Sequence, residues 1–240
     1  MCVIYEPKGK AREYSALACN LYRGCGHGCK YCYAPSATRS DRQEFYNSPR
    51  PRADIIEQIR KETSNLKTED PVLLCFTCDP YQPIDEQHEI TRKALALFWH
   101  NDIPVQILTK GGLRATRDFD LLQKDSRNKF SVTLTTDDPA ESLEWEPGAA
   151  LPEERIESLR MAHYLGISTW VSFEPVFNPD AVMRLIDATH EFVDLYKVGK
   201  INYHQRSKEI DWRSFGFAVK NRLESLGKPF YLKEDLRKFM

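Results

Sequence analysis

Short apolar runs alternate with helical patterns along most of this chain, and that alternation narrows the possible folds more than any other feature. Residues 15–21 (SALACNL), 71–78 (PVLLCFTC), 104–109 (PVQILT), 130–136 (FSVTLTT), 168–174 (STWVSFE) and 193–199 (VDLYKVG) read as strands. Between them, Ile90, Ala94, Leu97 and Phe98 take the spacing of one helix face. Ile156, Leu159 and Ala162 do the same in a segment that opens with Pro152 before two glutamates and stops at Gly166. Strands this apolar show no wet face, so the pattern predicts a parallel sheet of βαβ units, at least six of them. A chain of 240 residues, 41% of them hydrophobic, can fill one sizeable core, and residues 1–240 are expected to form a single α/β domain. Residues 63–70 and 136–148 read as loops.

Polar residues recur where each strand hands over to the next loop: Thr77, Cys78 and Asp79, then Thr109 and Lys110, then Thr135, Thr136 and Asp137. Ser172 and Glu174, and Lys200 and Asn202, continue the series. Any one of these can be an ordinary strand end. Taken together they point to a functional rim, because barrel-like α/β folds carry their active sites at the carboxyl ends of the strands.

Composition excludes little but directs the reading of the cysteines. The 34 basic residues balance 35 acidic ones, so no overall field draws the chain to nucleic acid or to an anionic membrane, although a local patch remains open. The first residues lack a signal-peptide pattern and no apolar run reaches the length of a membrane span, so a cytoplasmic location is expected. Seven unevenly spaced cysteines would be awkward as a disulfide framework, whereas a reducing compartment keeps thiols available as ligands.

Three of those cysteines, Cys25, Cys29 and Cys32, fall within the glycine-rich stretch NLYRGCGHGCKYCYAP, residues 20–35. Thiolates are soft ligands that select zinc, copper(I) or iron-sulfur clusters, and closed sites usually take four. His27 is one candidate for the fourth ligand and a plain loop residue otherwise. Cys75 and Cys78 form another pair, but on a strand residues three apart face opposite sides and cannot converge on one ion. Cys75 is expected to pack in the sheet, while Cys78 either faces the site or is a buried inert thiol. Three thiolates without a fourth suit a [4Fe–4S] cluster whose last iron is reserved for another ligand.

The spacing Cys25-x-x-x-Cys29-x-x-Cys32, with aromatic Tyr31 before the last cysteine, resembles the signature of the radical S-adenosylmethionine (SAM) superfamily. FTCDPYQPID, ILTKGG, TLTT, EPGAALPEERIESLR, WVSFEPV and KVGKINY further resemble, in that order, the group related to spore photoproduct lyase, from about residue 16 to 236. The resemblance implies an open, partial (βα)6 TIM-like barrel. It also implies a [4Fe–4S] cluster held by Cys25, Cys29 and Cys32, and reductive cleavage of SAM to a 5'-deoxyadenosyl radical. Tyr31 then matches the aromatic beside the adenine. Thr77, Cys78 and Asp79 match the segment at the methionine end of SAM, and Lys110 matches a lysine for its carboxylate. Thr135 and Glu174 match contacts from later strands. An external reductant such as flavodoxin or ferredoxin is implied as partner.

The chain also departs from that group. Where the lyase has a hydrogen-returning cysteine, this chain has Phe76, so Cys78 is the candidate donor here. The lyase's DNA-binding features have no counterpart in this near-neutral sequence, which leaves the substrate open between a DNA or nucleotide lesion and a peptide or small metabolite. A zinc-stabilised binding module using Cys25, Cys29, Cys32 and His27 is the alternative from a different class. Residues 39–52, RSDRQEFYNSPRPR, mix arginines with Phe45 and Tyr46, as a solvated loop does and as a phosphate-gripping segment can. Lys233, in YLKEDLRKF, belongs to a closing amphipathic turn or reaches over the barrel mouth. Strand packing accounts for Cys19; Cys2 has no assigned role.

Overall fold

Each apolar run forms a strand because its side chains find cover on both faces of a parallel sheet. The computed structural model describes residues 2–202 and 204–240. Its strands are β1 (Ile4–Tyr5), β2 (Leu17–Cys19), β3 (Tyr22–Arg23), β4 (Arg50–Pro51), β5 (Val72–Leu74), β6 (Val105–Thr109), β7 (Lys129–Thr133), β8 (Ser168–Phe173), β9 (Leu195–Val198) and β10 (Phe230–Leu232). Eight of them make one sheet in the order β1-β2-β5-β6-β7-β8-β9-β10. All neighbours pair in parallel except β1, which runs antiparallel to β2 at the edge. The remaining two strands, β3 and β4, form a small antiparallel ribbon.

The helices are α1 (Ala34–Ala37), α2 (Arg42–Asn47), α3 (Ile55–Thr63), α4 (Asp85–His88), α5 (Ile90–His100), α6 (Phe119–Leu122), α7 (Pro139–Trp145), α8 (Pro152–Tyr164), α9 (Pro179–Thr189), α10 (Trp212–Ser225) and α11 (Glu234–Arg237). Their starts follow from side-chain oxygens that satisfy otherwise unpaired backbone N–H groups. Asp138 caps α7, Asn178 caps α9 and Asp211 caps α10, and the first two are followed by proline at the first helical position. Gly166, at φ +76°, follows the end of α8.

The period of two along each strand divides the core. Phe130 and Val132 of β7 join the large cluster under the helices, which also holds Ile107, Val171, Phe173 and Val198. The other face carries Ala18, Leu73 and Trp170, packed with Tyr5, Tyr14, Phe76, Leu108 and Leu195. Register aligns that inner face: Leu73 lies opposite Ala18 and Gln106, and Ser131 opposite Leu108 and Trp170. The segment Gly9–Glu13, a 3-10 helix, leads Tyr14 into this concavity, where Gln106 and Lys197 both donate to the Tyr14 carbonyl. The α/β barrel-like fold expected from the sequence is present.

Several details differ from the sequence reading. The second strand stops at Leu74, so Cys75 to Cys78 lie in a loop and strand alternation does not separate the two thiols. Burial and then the neighbouring Cys78 thiol raise the Cys75 pKa, so the two thiols lie side by side. Residues 136–148 contain α7 rather than a loop alone, because Asp138 and Pro139 start a helix there. Residues 39–52 fold into α2 and β4, with Phe45 buried. The closing segment contributes β10, which pairs with β9 as a further parallel strand. In α8, Arg155 is buried while Ile156 is only half-buried, the reverse of what apolar spacing suggests.

Candidate active site

The cysteine loop begins where β2 ends, at the carboxyl edge of the sheet. Asn20, the next residue but one after Ala18, ties this edge together: its side-chain Oδ1 accepts the N–H groups of Phe76 and Thr77, each at 2.8 Å, and its side-chain Nδ2 donates to the Tyr5 hydroxyl. Gly24 follows at φ +80°, and a Cβ there would sit 2.5 Å from the Phe45 carbonyl oxygen, which accepts the Cys25 N–H.

Three neighbouring elements then fasten the loop's backbone. From the loop after β5, Gln82 accepts the Gly26 N–H at 2.9 Å. From α2, Tyr46 donates to the Cys29 carbonyl at 2.9 Å and Arg42 to the Lys30 carbonyl at 2.6 Å. From α7 and the turn after it, the Trp145 carbonyl accepts Lys30 N–H, and Gly148 N–H donates to the His27 carbonyl. The two chains approach so closely that a Cβ on Gly148 would lie 2.3 Å from the Gly26 carbonyl oxygen.

Within this frame Cys29 is buried, while Cys25 and Cys32 are half-buried. Burial pushes the Cys25 thiol well above its usual range, with Asp79 and Cys29 adding to the effect. Cys29 is likewise pushed up to about 12 by burial, opposed by the Lys110 ammonium. Thiols in such a pocket favour the proton unless a metal replaces it, and two cations, Lys110 and Arg155, stand ready to offset a thiolate-bound cluster. The residues present fit a [4Fe–4S] cluster in the nature of their donors, three thiols with cations beside them.

His27 does not complete a zinc set. Its Nδ1 faces Asp79 at 3.5 Å and its Nε2 faces Arg114 at 3.3 Å, with burial lowering its pKa to about 4. Among the described residues no three His, Cys, Asp or Glu side chains, the loop cysteines included, are placed to hold a single metal ion.

Asp79 is buried and occupied by the chain itself. One oxygen accepts from Tyr81 N–H at 2.8 Å and Thr109 hydroxyl at 2.6 Å, the other from Lys110 N–H at 2.7 Å. Burial favours its protonated form, yet His27 and these donors outweigh that and keep its pKa below the ordinary value. Lys110 itself is half-buried with its Nζ 5.7 Å from the Tyr31 ring centre. Burial works against its charge, but Cys29 and Glu146 outweigh it and raise its pKa.

The back wall holds residues that sequence reasoning missed. Tyr31 donates its hydroxyl to Glu146, and Arg155 Nη2 lies 2.6 Å from the other Glu146 oxygen, both ions being almost wholly buried. Arg155 also donates to the Ala150 and Thr133 carbonyls, which closes the wall against β7. The only signal in the sequence was EPGAALPEERIESLR itself, whose Glu and Arg are nine residues apart on different elements.

The remaining expected residues are more scattered. Thr77 is half-buried beside the β3–β4 ribbon, and Cys78 is buried near Cys25. Thr135 lies buried just past β7 and makes no side-chain hydrogen bond among the described residues. Glu174, past β8, accepts from Tyr14 at 2.5 Å and from Lys233 at 2.6 Å, and Gly199 leaves room for that pair. Lys233 is therefore a buried partner of Glu174, 3% exposed, and not a free cation over the mouth. Tyr33, more than half exposed, donates its hydroxyl to the Phe76 carbonyl at 3.0 Å.

Residues 19–193, well over half of the chain, match the radical SAM superfamily. The chain belongs to that superfamily. It is an enzyme of radical SAM type, and such enzymes use a [4Fe–4S] cluster and SAM and generally require a reductant. An uncharacterised protein of Methanocaldococcus jannaschii is 27% identical over 181 residues, which span 74% of this chain and 67% of that protein. Spore photoproduct lyase complexed with dinucleoside spore photoproduct superposes with a TM-score of 0.69 at 15% identity, over 95% of this chain and 78% of the lyase. Streptococcus suis SuiB bound to S-adenosylmethionine gives a TM-score of 0.66 at 15% identity, over 92% of this chain and 51% of SuiB. At such identities the structures speak for the fold alone, and this chain spans only about half of SuiB.

Proposed function

We propose that Cys25, Cys29 and Cys32 hold the cluster and that the chain abstracts hydrogen from a substrate lying over the carboxyl edge of its sheet. The observation that carries this reading is the cysteine loop itself, fastened from three sides with Lys110 and Arg155 behind the thiols. When bound, the cluster and SAM supply an electron and a 5'-deoxyadenosyl radical able to take hydrogen from carbon. The chain's own residues bind, orient and shield.

Lys110 offers a point charge to the SAM carboxylate, and Asp79 acts through it by fixing its backbone N–H and the Thr109 hydroxyl. Tyr31, pinned by Glu146, presents a fixed ring to the adenine. Thr77 and Thr135 line the SAM pocket, and Glu174 reaches it from the Tyr14 and Lys233 side. Cys78, close to Cys25 and beside Cys75, is the hydrogen donor to the product. A flavodoxin or ferredoxin supplies electrons, residues 1–240 act as one domain, and the setting is cytoplasmic. Among the described residues no helix is long and apolar enough to cross a membrane.

Anaerobic reconstitution with iron and sulfide tests the reading. Reduced protein is expected to convert SAM to methionine and 5'-deoxyadenosine, and the Cys29→Ala variant to form neither. Loaded wild-type protein that leaves SAM intact would overturn it. Once a substrate is known, normal product from Cys78→Ala would remove that thiol as donor.

A further inference from the structure

The β3–β4 ribbon sets two like charges face to face. Arg23 pairs directly with Arg50 across the two strands, an arrangement that destabilises a ribbon on its own. Arg52 lies two residues beyond Arg50, and all three arginines line one cavity of about 390 Å³. Its walls add the hydroxyl residues Ser40 and Thr77, the latter at the proposed SAM pocket. Three guanidinium groups face one carboxylate there, Glu44, which lies 3.7 Å from Arg50. Arg50 also donates to the Ser48 carbonyl at 3.3 Å. Among the described residues Arg23 and Arg52 have no side-chain hydrogen bond or ion pair, although Arg52 is half-buried.

Arg23 and Arg50 are exposed and Arg50 is shared with Glu44, so the groove carries a local surplus of positive charge, with the half-buried Arg52 at its least solvated point, that an anion would offset. Planar donor forks joined by hydroxyls match the several acceptor oxygens of a phosphate better than the two of a carboxylate. We infer that this groove binds a phosphate group of the substrate, a nucleotide or a nucleic-acid strand, and so holds the rest of the substrate beside the cysteine loop. The inference rests on the proposed radical chemistry for what happens next, but binding itself needs no turnover.

The test is direct binding to the anaerobically reconstituted protein, with iron content measured in every preparation. Probes are cytidine 5'-monophosphate, a mixed-sequence single-stranded oligonucleotide, cytidine and a glutamate-rich peptide. The nucleotide or the strand is expected to bind, with cytidine and the peptide far weaker. Affinity should fall with log salt by about 0.7 per phosphate contact if a strand is bound. Arg23→Gln and Arg52→Gln are each expected to weaken binding by about tenfold or more at unchanged iron content. A strand that binds more tightly than the mononucleotide identifies nucleic acid as the source, and the reverse order a free nucleotide. Equal binding of cytidine or of the peptide, or full affinity in both variants, would overturn the inference. Failure of SAM cleavage with binding intact would instead count against the radical chemistry.

Discussion

Glu146 and Arg155 carry opposite charges into the wall behind the cysteine loop, where almost no water reaches them. Burial opposes the Glu146 carboxylate, but Arg155, then Lys110 and the Tyr31 hydroxyl, hold its pKa below the usual range. Removing one member leaves the other charge without compensation. Arg155→Met is therefore expected to lower stability to chemical denaturation by about 3–5 kcal/mol. The double variant with Glu146→Gln should lose clearly less than the two single losses added together; simple additivity would show that the ions do not act as a pair. At this scale the sequence was informative only where chemistry is local. Cys25, Cys29 and Cys32 stood out as candidate ligands because their spacing is itself the motif. Arg155 was not, because it sits among apolar positions of α8 and its partner lies on the turn after another helix.

At the scale of elements, the cysteine loop is shaped by what packs on it. The turn after α7 passes against the loop where Gly148 meets Gly26, with no room for a side chain. Gly148→Ala should lower stability by about 1–3 kcal/mol and reduce the iron retained after reconstitution. Gly166→Ala is the matched control: φ is +76° but nothing lies within 4 Å of its added Cβ, so about 1 kcal/mol of backbone strain and full iron content are expected. Equal iron in both variants would mean that this close approach does not shape the loop. The strands and α5 were legible from periodicity, since their burial follows the pattern of their own residues, and α8 only in part: Leu159 and Ala162 are buried as their spacing implies, but Arg155 is buried in place of Ile156. The helix α7 was missed although Asp138-Pro139 is a helix start, because its seven residues carry too few apolar positions to show a period. The strand β10 was missed because three residues, FYL, show no alternation worth reading. The placement of Cys75 and Cys78 went wrong for a related reason, a strand assumed to run four residues past its end.

For the whole molecule, the concave face is filled as well as the convex one. Lys197 stands inside it with Nζ 4.8 Å from the Trp170 ring centre and 5.2 Å from that of Tyr14, donating to the Glu13 and Tyr14 carbonyls. Burial, reinforced by Lys129 and Lys233 and opposed by Glu13, lowers its pKa from 10.5 to about 8. Below pH 8 the ammonium is charged in both folded and unfolded chains, and its burial destabilises the fold. Between pH 8 and 10.5 the unfolded chain binds more protons, so this group's contribution to stability rises with pH. Relative to Lys197→Met, the wild-type chain should gain up to about 3 kcal/mol between pH 7 and 10.5 in denaturation measurements. A difference that does not change with pH would mean that Lys197 stays charged throughout.

Whether the three clustered thiols serve a cluster with one iron open to SAM is decided by electron paramagnetic resonance. The anaerobically reconstituted protein would be reduced and its spectrum recorded with and without SAM. A reduced-cluster signal is expected that changes when SAM is added and disappears in Cys29→Ala. Zinc bound at unit stoichiometry, with no cluster signal and no response to SAM, would contradict it.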